Sequence, residues 1–401
     1  RYTKGDLKAQ IASLTVGVKR TIELLEKYGV ETVTSSWNET IKYTEKYIKG
    51  KLAKAPKGVF EAEDYIELDG SLAKLKVKVE IGKEKVKVDF TGTQEQVDSP
   101  INAVYGVTVA ATSYALKSIL DPEMPMNYGF FKVVEVIAPQ GTIVNPVKPA
   151  PVSVGNVETS QRIVDVIFKA LSKPFPDKVP AASHGSMNNI MVGGVVNGST
   201  WAFYETIGGG MGGRPGKDGV DGVHINMTNT MNTPIEVIER EYPILFLEYS
   251  LRPDSGGAGK YRGGLGIRRV FKILSDKAVL SIATERVKIR PWGLNGGLEG
   301  SPGEHYVIRS NGERVKLSSK DTIYLKRGDI VSINTPGGGG YGDPLTRDPI
   351  LVLEDVKDGK VSIKSASKYY GVVIIERNGE YELDLKSTLK LREELMRGNQ
   401  R

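Results

Sequence analysis

The sequence predicts an α+β fold: a helical hairpin followed by mixed, largely antiparallel β-rich domains with interspersed helices. Three observations carry this. Apolar residues near the N-terminus recur at helical spacing, "KLKVKVEIGKEKVKVDF" alternates with the period of a strand, and most strands are joined by short glycine turns, not by helical crossovers.

In order along the chain, Leu7, Ile11, Leu14, Val18, Ile22 and Leu25 mark one helix over residues 6–28, ended by Gly29. A second places Trp37, Ile41, Ile48 and Leu52 on one stripe and stops before Pro56, so the pair reads as a hairpin or as an oligomer contact. The alternating run then folds back at Gly82-Lys83 into an antiparallel pair with a lysine-rich wet face. Residues 102–120 read as a helix, "VVEVIAPQGTIVNP" as strand and turn, and "GNVETSQRIVDVIFKAL" as a helix capped by Asn156. Asn-Gly turns at 197–198, 311–312 and 378–379 mark hairpins, and "STLKLREELMRG" ends the chain as a helix. Thr233 and Glu236 have capping-box spacing. The expected divisions are 1–57 (hairpin), 58–245 (α+β core with glycine-rich loops), 246–350 (β-rich) and 351–401 (C-terminal α/β extension).

The chain has 401 residues, 39% of them hydrophobic, with no long apolar run, which argues against a membrane span. Cysteine is absent, excluding disulfides and thiolate chemistry and favouring a cytoplasmic setting; abundant Lys and Glu fit a thermophile. The net charge of +7 is spread over helices and hairpins with acids interleaved, so no nucleic-acid groove is expected.

Three glycine-rich stretches stand out: "GGGMGGRPGKDG", "DSGGAGKYRGGLG" and "TPGGGGYGDP". The first satisfies G-x-G-x-x-G after a strand, "TWAFYETI". The helix that a dinucleotide site requires does not follow, because Pro215, Gly216, Gly219 and Gly222 come next. "RPGKDG" is not a P-loop, since Asp218 stands where Ser or Thr is needed. These stretches are either tight crossovers or loops gathered around a pocket.

Ten ordered segments, among them "VDFTGTQEQVDSPINA", "PMNYGFFKVVEVIAPQGTIVNP", "GNVETSQRIVDV", "GGGMGGRPGKDGVDGVH", "PWGLNGG" and "TPGGGGYGDP", make the chain resemble the hydantoinase B family from about residue 5 to about residue 375. That family includes the B-half of 5-oxoprolinase, N-methylhydantoinase B and components of acetone and acetophenone carboxylases. The resemblance implies the B-type component of an ATP-dependent cyclic-amide hydrolase. A hydantoinase A-type partner would hold ATP-Mg and phosphorylate the substrate, in a hetero-oligomer, and a divalent metal (Zn, Mn or Mg) would assist ring opening. A carboxylase component and a non-catalytic scaffold are the alternatives. Family motifs resembling "NDPY-x-GGTH-x-x-D" and "HHAD" precede the region seen here and do not occur in this chain, which begins at Arg1. The metal ligands are therefore expected in an N-terminal segment outside it, and catalysis by this chain alone is not expected.

Within the chain, the "GNVETSQR" motif implies substrate or anion contacts from Asn156, Glu158, Ser160, Gln161 and Arg162, or a capped helix with Arg162 in an ion pair. Asn188, Gly209, Gly210 and Asn229 join the substrate-binding candidates through their motifs. Asp221 and His224 form D-x-x-H and are the catalytic candidates. The preferred reading is a histidine held in place by its carboxylate, with acid–base chemistry within its reach. His184 does not read as an obligatory ligand, His305 reads as structural, and Arg286 and Trp292 as core-closing or partner-contacting.

Overall fold

The computed structural model describes residues 2–196 and 198–398, so Asn197 of the first Asn-Gly turn and Arg1 lie outside the described residues. The chain forms two compact units. One comprises Arg1–Gly58, Glu80–Lys87 and Leu120–Glu135, the other Val59–Val79, Val88–Ile119 and Val136–Arg401.

In the smaller unit, helices α1 (Tyr2–Tyr28) and α2 (Val30–Lys54) meet at Gly29, whose φ of 81° permits the sharp break. The expected hairpin is not closed along its length. α1 is exposed from residue 3 to residue 20, and only Thr21, Glu23 and Leu25 are half-buried. α2 buries Val33, Thr44, Ile48 and Leu52, while Trp37 of the predicted stripe stays 49% exposed. The short helix α4 (Tyr128–Phe131) is tied to α2 by Asn127. Its side chain caps Gly129 N (2.8 Å) and donates to Thr44 Oγ1 (2.8 Å).

Strands β1 (Gly58–Glu67), β2 (Leu72–Ile81), β3 (Val86–Asp89) and β4 (Val134–Ile137) form a sheet in that order, with α3 (Tyr105–Leu120) between β3 and β4 in sequence. The alternation predicted for β2 is present: Ala73, Leu75, Val77 and Val79 are buried and the intervening lysines are not.

The larger unit is built around a β-sandwich. One sheet runs β12 (Lys320–Lys326), β9 (Lys277–Ala283), β5 (Asn189–Val196), β6 (Ser199–Thr206). The other runs β11 (Arg314–Leu317), β10 (Glu304–Ile308), β13 (Ile330–Asn334), β8 (Ile267–Ile273), β7 (Ile244–Leu251). Their inner faces share a core of Ile190, Val192, Phe203, Leu280 and Leu325 against Phe271, Ile273, Val307, Val331 and Ile333. β5 pairs with β9, Val192 opposite Leu280, so the sheet crosses the division expected at residue 245. Helix α6 (Ile235–Glu241) starts without the expected capping box: Pro234 is its N-cap, and Thr233 N donates to Glu205 Oε1 instead. The C-terminal part packs α7 (Pro349–Lys357), α8 (Ile363–Tyr370) and the hairpin β14 (Ile374–Arg377)–β15 (Glu380–Leu383) around Val352, Val356, Ala366 and Tyr370. Helix α9 (Leu385–Gly398) follows, and Asn378-Gly379 turns the hairpin with both residues at positive φ.

The three glycine-rich stretches pack on one another. Gly338 donates to Gly264 O and accepts from Gly257 N; Gly339 donates to Ala182 O and accepts from Gly213 N; Gly340 donates to Leu298 O and accepts from Leu294 N. Three successive residues thus bond three different pairs of neighbours. That is the three-per-turn geometry of an extended polyglycine or polyproline II strand and not the two-sided ladder of a β-sheet. A Cβ at Gly337, Gly338, Gly339 or Gly340 would lie 1.9–2.1 Å from a backbone oxygen of Ser255, Met211, Trp292 or Ala258. Glycine is required here because backbone packs directly on backbone.

Candidate functional site

The "GNVETSQR" run opens as a π-turn, Gly155–Thr159, continuing into helix α5 (Ser160–Leu171). Asn156 is not the N-cap: it lies inside the π-turn, is exposed, and its carbonyl accepts the Ser160 hydroxyl (2.7 Å). The extra residue of a π-turn rotates the side chains that follow, a distortion common at functional sites. Here Glu158, Ser160, Gln161 and Arg162 all have no exposed surface.

Arg162 is the hub of a buried ion network. Its Nη2 lies 3.0 Å from Glu285 Oε2, and its Nη1 3.4 Å from Asp165 Oδ2 and 3.6 Å from Asp64 Oδ2. Arg286, held at φ 62°, places Nη2 2.7 Å from Asp165 and 3.1 Å from Asp64, and Lys320 Nζ pairs with Glu285 Oε1. Burial alone would raise the pKa of Asp64, but Arg286 and Arg162 outweigh it and hold the carboxyl below its ordinary value. At Asp165 burial prevails over the same two guanidinium groups and the pKa is raised.

Glu158 stands beside this network and forms none of its ion pairs. Its Oε1 accepts from Met187 N (3.1 Å) and Asn189 Nδ2 (2.7 Å), while Oε2 is buried and makes no geometrically formed hydrogen bond among the described residues. Burial, reinforced by the Glu285 carboxylate, pushes its pKa up to about 8. Glu158 is therefore mostly a neutral acid at pH 7, poised for proton exchange near neutrality. Asn189 Oδ1 accepts from the hydroxyl of Tyr204 (2.6 Å), whose residue is 54% exposed, so hydrogen bonds link the enclosed acid to the surface.

The other candidates disperse. Gln161 Nε2 donates to Thr228 Oγ1 (2.7 Å), tying α5 to the segment that carries the exposed Asn229. Asn188 is buried at φ 48° and donates to Ile207 O (2.9 Å). Gly210 is enclosed by backbone, a Cβ there lying 2.0 Å from Gly264 O, and Gly209 packs on the ring of His184. Asp221 does not hold His224. It accepts from Arg262 Nη1 (3.0 Å) and Leu265 N (2.8 Å), because Arg262 also needs a carboxylate where the glycine stretches meet. His224 is half-buried beside Asn232, and burial lowers its pKa. His184 is fully buried with Nδ1 3.3 Å from Gly210 O, and its pKa is pushed down to about 3 by burial. His305 is equally buried, 3.2 Å from Thr284 Oγ1, and Arg286 closes the core.

Sequence reasoning singles out Glu158 and Arg162 as substrate contacts, and the structure buries both at this network; it passes over Asp64, Asp165, Glu285 and Lys320. One signal is available: Asp64 occupies the same strand face as the buried Ile66. Among the described residues, no group of three or more His, Asp or Glu side chains could hold a metal ion. A surface cavity of about 280 Å³ lined by Asp254, Arg290, Glu299 and Tyr369 includes none of the predicted residues. No helix among the described residues is long and apolar enough to cross a membrane.

Comparison with known proteins places this geometry in a family. The sequence profile of the family described as hydantoinase B/oxoprolinase matches residues 1–344. An uncharacterized protein of Methanocaldococcus jannaschii is 64% identical over 98% of this chain and 68% of its own length. A Pseudomonas protein provisionally named as the B component of a D-/L-hydantoinase is 36% identical over 97% of this chain and 67% of its own. Among solved structures, the ATP-dependent caprolactamase of Pseudomonas jessenii superposes with a TM-score of 0.87 at 29% identity, over 98% of this chain and 70% of that one. Acetone carboxylase matches in fold, with a TM-score of 0.86 at 19% identity, over 95% of this chain and 58% of that one. With its π-turn motif and glycine-packed core inside the matched region, the chain belongs to the hydantoinase B/oxoprolinase family.

Proposed function

We propose that this chain is the B-type component of an ATP-dependent cyclic-amide hydrolase of the hydantoinase/5-oxoprolinase type. It acts on a ring whose carbonyl oxygen has been phosphorylated by an A-type partner. The observation that carries this reading is the family match together with the likeness to a caprolactamase across nearly the whole chain. The carboxylase reading is weaker, because the likeness to acetone carboxylase is one of fold at 19% identity.

Opening a phosphorylated lactam needs water delivered to the activated carbon and a proton supplied to the departing ring nitrogen. Glu158, neutral near pH 7 with its proton on Oε2, is the proton reservoir, while Asn189, anchored by the Tyr204 hydroxyl, holds its Oε1. Gln161, Ser160, Arg162 and Asn188 fix the segments around it, and Asn156, Asn229 and half-buried His224 remain as groups that could meet substrate. The divalent metal and ATP-Mg belong to parts outside these residues, an N-terminal B-type segment and the A-type partner.

The test is reconstitution of this chain with an A-type partner and a complete B-type N-terminal segment. ATP and a divalent metal are supplied, with 5-oxoproline, hydantoin or caprolactam as substrate. ATP-dependent ring opening is expected. Bicarbonate-dependent carboxylation instead would move the chain to the carboxylase branch, and inactivity of the full assembly on every ring would reduce it to a scaffold.

A further inference from the structure

α1 is an amphipathic helix with its apolar side uncovered. Over 27 residues it extends about 40 Å, and Leu7 (58% exposed), Ile11 (57%), Leu14 (71%), Val18 (62%) and Ile22 (47%) lie on one stripe that ends at half-buried Leu25. Beside the stripe, Ser13, Gly17 and Thr21 leave a groove of about 400 Å³ bounded by Leu14, Val18 and Ile22. A helix this exposed is marginal in water unless the stripe is covered.

The pattern is self-complementary about its midpoint near residue 16. Turning a second helix antiparallel about that point sets Leu7 against Leu25, Ile11 against Ile22 and Leu14 against Val18, each contact occurring twice. The second copy's Leu14 then falls over Gly17, where the small side chains admit it. The flanking charges agree: at helical spacing Lys4, Lys8 and Glu26 lie on the same flank of the stripe, and the antiparallel arrangement brings Glu26 of one copy between Lys4 and Lys8 of the other. A parallel pair would instead set Asp6 of one copy beside Lys4 and Lys8 of the other and leave Glu26 against Leu24 and Tyr28, so the use of Glu26 is what distinguishes the antiparallel pair.

We propose that α1 docks antiparallel on α1 of a second copy of this chain, making a two-fold symmetric homodimer through Leu7, Ile11, Leu14, Val18 and Ile22.

The experiment is light scattering coupled to size-exclusion chromatography of the full chain across micromolar concentrations. A dimer is expected. Leu14→Glu should yield a monomer whose circular dichroism spectrum loses at most the helical signal of α1. Glu26→Lys should weaken the dimer at least about tenfold, the equivalent of 1.4 kcal/mol, and Lys4→Glu/Lys8→Glu/Glu26→Lys should restore it. A wild-type monomer, which would mean another segment or partner covers the stripe, overturns the proposal. So does a dimer indifferent to Leu14→Glu, or a charge reversal that the compensating changes fail to rescue.

Discussion

Replacing Glu158 by glutamine isolates the cost of holding an acid neutral in a closed interior. The amide has the same shape and can still accept from Met187 N and Asn189 Nδ2, but it does not titrate. In the folded chain Glu158 titrates at about 8, against 4.5 when unhindered, so between those values the folded state holds one proton that the unfolded state has lost. Stability from this group is complete below pH 4.5 and disappears as pH rises through about 8. The slope is about 1.4 kcal/mol per pH unit, and between pH 6 and 8 it amounts to roughly 2 kcal/mol once the half-titrated end point is allowed for. Urea unfolding curves of the two proteins, followed by tryptophan fluorescence at pH 6, 7 and 8, should diverge by that amount. The wild type should weaken as pH rises while Glu158→Gln holds its stability better. An infrared carboxylic-acid band should fade over the same range in the wild type and be missing from the variant. Parallel unfolding curves and no such band would mean that Glu158 is ionised throughout, and the proton-reservoir argument would fall.

Other expectations follow from the same geometry. Arg286→Ala leaves Asp64 and Asp165 short of a cation in a sealed interior and should cost about 3–5 kcal/mol in unfolding free energy; a loss below about 1 kcal/mol would show that the network relaxes without it. Gly338→Ala puts a methyl 2.1 Å from Met211 O and should cost more than the roughly 1–3 kcal/mol of ordinary overpacking, read as lost soluble yield or a depressed thermal midpoint. Gly50→Ala, in α2 with open space around it, should instead stabilise by up to about 1 kcal/mol, read as a raised thermal midpoint. The His184 ring should remain neutral, protonated on Nδ1, from pH 8 down to pH 5 in nitrogen-15 spectra. Its stabilising effect is complete above about 6.5 and is lost as pH falls towards about 3.

The elements legible in the sequence are those with local causes. The alternation of β2 and the Asn378-Gly379 turn depend on neighbours a few residues away, and both stand in the fold as the sequence predicts. The charge network is different: Arg162 meets Glu285 across 123 residues, and Arg286 meets Asp64 across 222. No local period encodes such pairings. Besides Asp64 on the strand face of Ile66, a charged residue inside an apolar run, such as Asp165 in "IVDVIF", is a sign of them. The capping box at Thr233 fails because Glu205, from β6, captures the backbone N–H that the box would have used. The glycine stretches are the least legible, since glycine at a close approach and glycine at a flexible turn look alike until the facing segment is known.

The glycine core also bears on when the protein can fold. Gly337–Gly340 supply donors and acceptors to segments near residues 182, 213, 257, 264 and 298, all made earlier during synthesis. Those segments hold unpaired amides and carbonyls until the last of them leaves the ribosome. Assembly of this region is consequently late and high in contact order, and folding should be slow and concerted. Nascent chains arrested before residue 337 should stay open to protease at the segments around residues 182, 213, 257–264 and 298, and chains released after residue 341 should close those segments together.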